Sequence, residues 1–299
     1  MRDARGASCP PSFDDWLADS REYVATMAPE LLSLFDIYAG EASFGRNFIQ
    51  SDLAALPLGA LILEVGAGAL LLSCQLQQEG FRVTALEPLA HGFSHFGQLR
   101  SLVLERADAK GIRPTIQNLP AEEMADESKF DYAFSINVME HVTDVAKVLA
   151  KVVKSLKHGA RYHFTCPNYL FPYEPHFNMP TLFSKRLTER FFANRIFKNT
   201  TLPDPTGTWR SLNWISVRQI SKISGLIPGV RLSYSRRLLA STLERLQLDK
   251  EFAARRSAWI RGLVGCLVRL RLHKLLIFLP AIMMPIIDCT VIRHRRSGR

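Results

Sequence analysis

Apolar positions change period along this chain, and the changes divide it into segments. From Phe13 to about Leu56, Phe13, Trp16, Leu17, Tyr23, Val24, Met27, Leu31, Leu32, Leu34 and Phe35 recur at helical spacing, which predicts one or two helices. Short apolar runs then alternate with helical patterns. Leu61–Val65 meets a glycine turn, Leu70–Glu79 reads as a helix, and Arg82–Leu86 is a second run closed by Glu87 and Pro88. A helix is expected over about Phe93–Lys110, a weak strand at Pro114–Gln117 and a strong one at Phe130–Ile136. The helix Val142–Leu156 leads to a fifth run at Arg161–Thr165. Strands alternating with helices of this length imply a parallel sheet covered on both faces, an α/β doubly wound core with its crevice at the strand C-termini.

After Cys166 the alternation stops. Residues 167–176 carry closely spaced prolines and read as a loop without regular structure. Ser216–Ser224 reads as a helix, Val230–Ser235 as a strand, and Cys289–Arg293 as a last strand. The expected organisation is a disordered stretch 1–12, N-terminal helices 13–56 and a core 57–237 with a substrate loop 166–200. A basic, apolar helical insertion 238–287 and a final strand with a basic tail 288–299 follow.

Composition changes the picture in one respect. The chain has 299 residues, 47% of them hydrophobic, and a formal charge of +10. Residues 185–299 hold 23 Lys and Arg against 6 Asp and Glu, whereas residues 1–184 carry 15 against 22. Such asymmetry suggests a basic surface facing an anionic partner, with a solubilising surface as the alternative. Arg245, Lys250, Arg255, Arg256, Arg261, Arg269, Arg271 and Lys274 lie among Leu, Val, Phe and Trp259, the pattern of a basic amphipathic surface helix. The adjoining Leu275–Ile287 run is too short to span a bilayer and holds Pro280 and Pro285. It reads as a buried core helix or as a segment dipping into one leaflet, and the neighbouring arginines favour the leaflet. An anionic membrane surface is therefore a partner to consider, and nucleic acid is not expected. The five cysteines form no CxxC pair, and residues 1–11 lack the apolar core of a signal peptide. The expected location is cytoplasmic, peripheral at the inner face of the membrane.

The candidate chemistry begins at the first strand. Gly66 and Gly68 follow it, where backbone can approach a ligand and the next helix offers N–H groups. Alone these glycines form an ordinary turn that suits several nucleoside cofactors. Glu64, just before them, could meet an ammonium, and Glu87, at the end of the next strand, can accept from both hydroxyls of a ribose. The dinucleotide fingerprint needs Gly or Ala at position 71, which is Leu71. A nicotinamide-dependent oxidoreductase is thereby disfavoured. The charge placement suits the cationic amino acid of S-adenosylmethionine (SAM).

These residues, with Ala121-Glu122 and the stretch from Phe130-Asp131 through Ser135 to Glu140-His141-Val142, resemble the class I SAM-dependent methyltransferases. The likeness is to the ubiquinone-biosynthesis O-methyltransferase branch, over about residues 58–166. The resemblance implies a Rossmann-like seven-stranded sheet and SAM as cofactor. It places Gly66, Ala67 and Gly68 under the methionine moiety, Glu87 on the ribose, Ala121 and Glu122 beside the adenine, and Asn137 and Val138 flanking the pocket. Two departures stand out: Leu70 occupies the place of a frequent third glycine, and Pro120 that of a frequent Asp.

Methyl transfer mainly needs alignment, with a base if the acceptor is a hydroxyl. His141 follows the fourth strand, although Glu140-His141 also suits the first turn of a helix; in the resembling branch the acid beside that His is sometimes associated with a divalent ion. His176 is the second candidate base, in a stretch where Tyr173 and Glu174 would wall the substrate. His91-x-x-x-His95 reads as a solvated helix face, and no metal site is assigned. The expected reaction is methyl transfer to a small or lipid-linked acceptor, at oxygen. The rival from another class is a noncatalytic membrane adaptor that keeps the fold.

Overall fold

Leu61–Val65 (β1), Arg82–Leu86 (β2), Thr115–Gln117 (β3) and Phe130–Ile136 (β4) form the parallel strands that the apolar runs predict. The structure is a computed structural model that describes residues 13–88, 95–182, 184–200, 202, 204–248, 253 and 258–294. The stretch 1–12, His91, Lys250, Arg255, Arg256 and the tail 295–299 lie outside the described residues. The seven-stranded sheet has the order β3-β2-β1-β4-β5-β9-β8, where β5 is Leu156–Pro167, β8 Val230–Tyr234 and β9 Ile286–Arg293. By its contacts the chain falls into two units, one of residues up to Ile136 with Lys154–Tyr162, the other of Asn137–Val153 with His163 onward.

In the first unit β1 pairs with β2 from Leu61↔Arg82 to Val65↔Leu86, and with β4 through Leu63↔Ala133. Ile62, Leu63, Val83, Ala85, Tyr132 and Phe134 are almost wholly buried, which is why these strands read as continuous apolar runs. Helices α1 (Phe13–Met27), α2 (Leu32–Phe48), α3 (Gln50–Leu53), α4 (Leu71–Gln78) and α5 (His95–Ala109) complete the unit. Trp16, Val24 and Phe35 supply the buried stripe of the N-terminal helices, each such apolar side chain contributing about 2 kcal/mol. The Trp16 indole N–H donates to Leu71 O at 3.0 Å, tying α1 to the start of α4. Arg106 and Lys110 both pair with Asp19, linking α5 to α1.

In the second unit Ser184, Asp204 and Ser216 accept from backbone N–H groups and cap α7 (Lys185–Phe197), α8 (Pro205–Ser211) and α9 (Val217–Leu226). β8 and β9 pair antiparallel from Val230↔Arg293 to Tyr234↔Cys289, so the residues between them leave the sheet and return. That excursion holds α10 (Arg237–Leu248), α11 (Ala258–Arg269) and two 3₁₀ turns, Leu272–Phe278 and Ala281–Met283.

Three local expectations are corrected. Helix α6 runs over Val145–Ser155 and does not begin at Val142: the Asp144 carboxylate accepts from Lys147 N–H at 3.0 Å, so residues 140–142 stay outside as a turn. The proline-rich stretch is not wholly irregular, because Tyr173–Glu174 (β6) pairs antiparallel with Met179–Pro180 (β7). A two-residue strand fits between Pro172 and Pro175, neither of which has to donate within the ladder. The run Leu275–Ile287 is no continuous helix, since Pro280 separates the 3₁₀ turns.

Candidate active site

The first unit gathers the carboxylates and glycines at the end of β1. Gly66 and Gly68 have φ of 74° and 51°, the left-handed region that a glycine enters without strain. Gly66 N–H donates to Leu86 O at 2.7 Å, which holds the turn against the end of β2. Glu87 Oε2 accepts from Gly68 N–H at 2.9 Å, so the acid at the end of β2 and the glycine turn meet directly. Burial raises the Glu87 carboxyl above its ordinary range, against the opposing pull of that N–H and of Arg100. Glu64 is buried and accepts from the Ser73 hydroxyl. Burial pushes its carboxyl up to about 8; the Ser73 bond opposes this and the nearby Glu87 charge adds to it. An arriving ammonium would reverse that balance.

Leu70 takes φ 67°, the conformation that a third glycine would adopt without strain, while its side chain is fully buried. Apolar burial thus holds a backbone angle that costs a branched residue about 1–2 kcal/mol. Tyr38 lies over the turn, 3.5 Å from where a Cβ on Gly68 would stand, with its ring 5.3 Å from that of Phe96. In the sequence Tyr38 stands out only by its place on the apolar stripe of α2. Ala121 is buried and Glu122 half-buried in a 3₁₀ turn, Ala121–Glu123, after β3.

The second unit gathers the candidate acid–base groups. Asn137 follows β4 with φ 53°, its N–H bonded to Thr165 O at 2.9 Å; it is exposed and Val138 half-buried. Glu140 and His141 lie in the turn before α6, and His176 lies just after β6. The His141 and His176 rings stand 5.3 Å apart, edge to face. The Ser211 hydroxyl donates to Thr208 O at 2.8 Å, and therefore accepts from His141 Nδ1–H at 2.8 Å. Burial, then repulsion from His176, lowers the His141 imidazole to about 4, with Glu174 opposing, so His141 is neutral at pH 7.

His176 Nδ1–H donates to Glu174 Oε1 at 2.6 Å, which places the lone pair of the neutral ring on Nε2. Glu174 is fully buried and also accepts from Phe177 N–H at 2.6 Å and Tyr169 O–H at 3.2 Å. Burial and the carboxylates Glu174 and Glu140 raise the Tyr169 phenol well above its ordinary value, so it stays a donor. The Tyr173 hydroxyl donates to Asn178 Oδ1 at 2.5 Å. Ligand atoms of Glu140, His141 and His176 lie within 4.8 Å of one another, a nitrogen and oxygen set that could also hold a divalent ion.

One residue here carries no motif in the sequence. Trp214 has φ 63°, an outlier for a bulky side chain, and stacks on Tyr169 with centroids 4.4 Å apart. Its indole N–H is buried and has no hydrogen-bond partner among the described residues. The neighbouring Asn213 ties it to the Glu140 turn: Asn213 N–H donates to Glu140 O, and its side chain to Met139 O and Val142 O.

A family model described as a methyltransferase domain matches residues 63–162, the span of the glycine turn and β1 to β5. An uncharacterized protein of Mycobacterium tuberculosis, Rv1509, is 50% identical over 276 residues, 92% of this chain and 93% of its own length. The ubiquinone biosynthesis O-methyltransferase of Rhizobium leguminosarum is 30% identical over 116 residues, 38% of this chain and 43% of that protein. Among solved structures, a phosphoethanolamine N-methyltransferase 2 of Haemonchus contortus in complex with S-adenosyl-L-methionine has a TM-score of 0.48 at 19% identity, covering 92% of this chain and 60% of that one.

The match over residues 63–162 on this seven-stranded sheet shows that the chain carries a class I SAM-dependent methyltransferase domain. Over nearly its whole length the chain belongs to the same family as the mycobacterial protein Rv1509.

Proposed function

We propose that the protein transfers a methyl group from SAM to an oxygen of a small-molecule or lipid-linked acceptor. In this reading Gly66, Ala67 and Gly68 cradle the methionine moiety, Glu64 meets its ammonium and Glu87 takes the ribose. Ala121 and Glu122 lie beside the adenine, and Asn137 and Val138 flank the pocket. The partial likeness to the ubiquinone biosynthesis O-methyltransferases supports oxygen as the methylated atom. An anionic membrane surface approached through residues 238–287 belongs to the same reading, as does a peripheral location at the inner face of the membrane.

The observation that carries the chemistry is the Glu174–His176 hydrogen bond. Bound SAM supplies a methyl already activated by its sulfonium. Glu174 holds His176 by Nδ1–H, and His176 Nε2 takes the acceptor's hydroxyl proton as that oxygen bonds to the methyl carbon and the carbon–sulfur bond breaks. His141, neutral and oriented by Ser211, lines the acceptor side as the second base candidate. The Trp214 N–H supplies a donor for an acceptor oxygen.

Calorimetry and turnover test this. SAM is expected to bind at micromolar affinity, weakened by Gly66→Arg and by Glu87→Ala, and labelled methyl should reach an acceptor from extract. Tight nicotinamide binding without SAM binding would sink the proposal. SAM binding with no transfer to any fraction would indicate a noncatalytic adaptor instead.

A further inference from the structure

The described part of the excursion between β8 and β9 displays apolar side chains to solvent. Leu263, Leu270, Leu272, Leu275, Ile277, Phe278 and Met283 are all exposed, Phe278 at 75%. Exposed Arg261, Arg269, Arg271 and Lys274 are interleaved with them, and Arg236 Nη1 approaches Ile277 O at 3.5 Å. Between Glu251 and Asp288 the sequence holds six Lys and Arg and no acid. His273 is the buried member of the 3₁₀ turn Leu272–Phe278, its ring nitrogens facing Leu267 O and Glu244 Oε1 at 3.3 and 2.8 Å. The turn is therefore anchored by one polar side chain and turns Leu272, Leu275, Ile277 and Phe278 outward. A core segment would do the reverse.

We infer that residues 263–283 form a docking surface for an anionic lipid bilayer, and that the methyl acceptor is lipid-linked. An exposed apolar patch interleaved with Arg261, Arg269, Arg271 and Lys274, with the nearby Glu244 paired to His273, matches the acyl boundary and headgroups of such a bilayer. A soluble protein partner would need acids spaced to meet each cation, whereas a bilayer meets them at any spacing. No helix among the described residues is long and apolar enough to cross a membrane, so the contact is peripheral.

The link to the acceptor runs through Asn168. Its side-chain amide donates to Met284 O at 2.8 Å and Ile282 O at 3.2 Å, and its N–H donates to Pro285 O at 2.9 Å. Its Oδ1 accepts from Leu170 N–H at 3.3 Å. The next residue, Tyr169, stacks on Trp214 and bonds Glu174, which holds His176. The bilayer-facing segment and the candidate base are thus held by one short run of chain, Asn168 to His176. The lipid-linked acceptor rests on the proposed methyl transfer; the bilayer contact does not.

The full chain is centrifuged with vesicles of phosphatidylcholine plus phosphatidylglycerol, and with phosphatidylcholine alone. Cosedimentation with the mixed vesicles, falling with added salt, is expected. The pair Leu275→Glu and Phe278→Glu should lower it by roughly tenfold or more, as should the pair Arg269→Glu and Arg271→Glu. Thermal unfolding and SAM calorimetry of each variant should match the parent, which separates lost docking from lost folding. Labelled methyl from SAM should appear in the lipid-extractable fraction. Absence of vesicle binding, or binding unchanged in both pairs, would overturn the docking surface. A dimer abolished by Phe278→Glu without vesicle binding would overturn it in favour of self-association. Vesicle binding without SAM binding would leave the docking surface standing and sink the methyltransferase reading. Label confined to water-soluble products would overturn the lipid-linked acceptor alone.

Discussion

Glu64→Gln tests the turn through its protons. The Glu64 carboxyl is pushed up to about 8 from an ordinary 4.5, chiefly by burial. An acid whose folded value is raised binds more protons folded than unfolded between those two values. Stability therefore falls as pH rises through that window, at up to about 1.4 kcal/mol per pH unit, and levels off above the folded value. Between about pH 5.5 and 7.5 this single group should remove about 2.5 kcal/mol of stability from the SAM-free protein. For a domain of this size that is a fall in Tm of roughly 5–10 °C. Gln carries no titrating proton and can still accept from Ser73, so the variant should lose this component of the slope and exceed the parent at the upper pH. Urea unfolding across the pH series measures it. With SAM present, an ammonium beside Glu64 should restore the carboxylate and release a proton. Calorimetry in buffers of different ionisation enthalpy reads that release. Parallel pH–stability curves for parent and variant would refute the reasoning, and SAM binding without proton release would refute the ammonium contact.

Glu174→Gln keeps the size of the side chain but weakens its hold on His176 Nδ1–H. A kcat loss of roughly tenfold to a hundredfold with little change in the SAM Kd is expected, and His176→Ala should cost more, roughly 10²–10⁴-fold; unchanged kcat–pH profiles would exclude the pair as base and orienter. Leu70→Gly relieves a left-handed angle worth about 1–2 kcal/mol but deletes a buried leucine worth about 2–5 kcal/mol. A net fall in stability should follow, and a raised Tm would show that strain dominates. Trp214→Phe removes the buried, unpartnered N–H, so the free protein should gain about 1 kcal/mol while the acceptor KM rises; an unchanged KM would place the acceptor elsewhere. Turnover is expected to persist in EDTA, and activity lost there and restored by a divalent ion would turn Glu140, His141 and His176 into metal ligands.

Local pattern carried most of the sheet. The apolar runs were legible because a parallel strand covered on both faces is apolar at most positions, and β1, β2 and β4 have the bounds their runs predict. The pairing of β8 with β9 was also within reach, as two β-rich runs flanking a basic insertion. The boundary of α6 was not, because Glu140-His141 looks like a helical first turn until Asp144 is seen to cap. Nor was β6, since two residues between prolines carry no period.

Residue identity by itself carries the proposed cofactor turn: glycines at 66 and 68, acids at 64 and 87, and Leu71 where a dinucleotide fold needs a small residue. Their effect depends on spacing along one strand–turn–helix unit, which sequence records directly. Tertiary structure alone decided which groups far apart in the chain meet. It set His141 against His176, buried Glu174 under three donors, and turned Trp214 toward Tyr169 with its N–H unpartnered. It also decided that the C-terminal leucines and Phe278 face outward, because His273, one polar residue within an apolar run, is the buried one. Period and composition describe a chain's neighbours along its length, whereas charge state and exposure depend on neighbours in space.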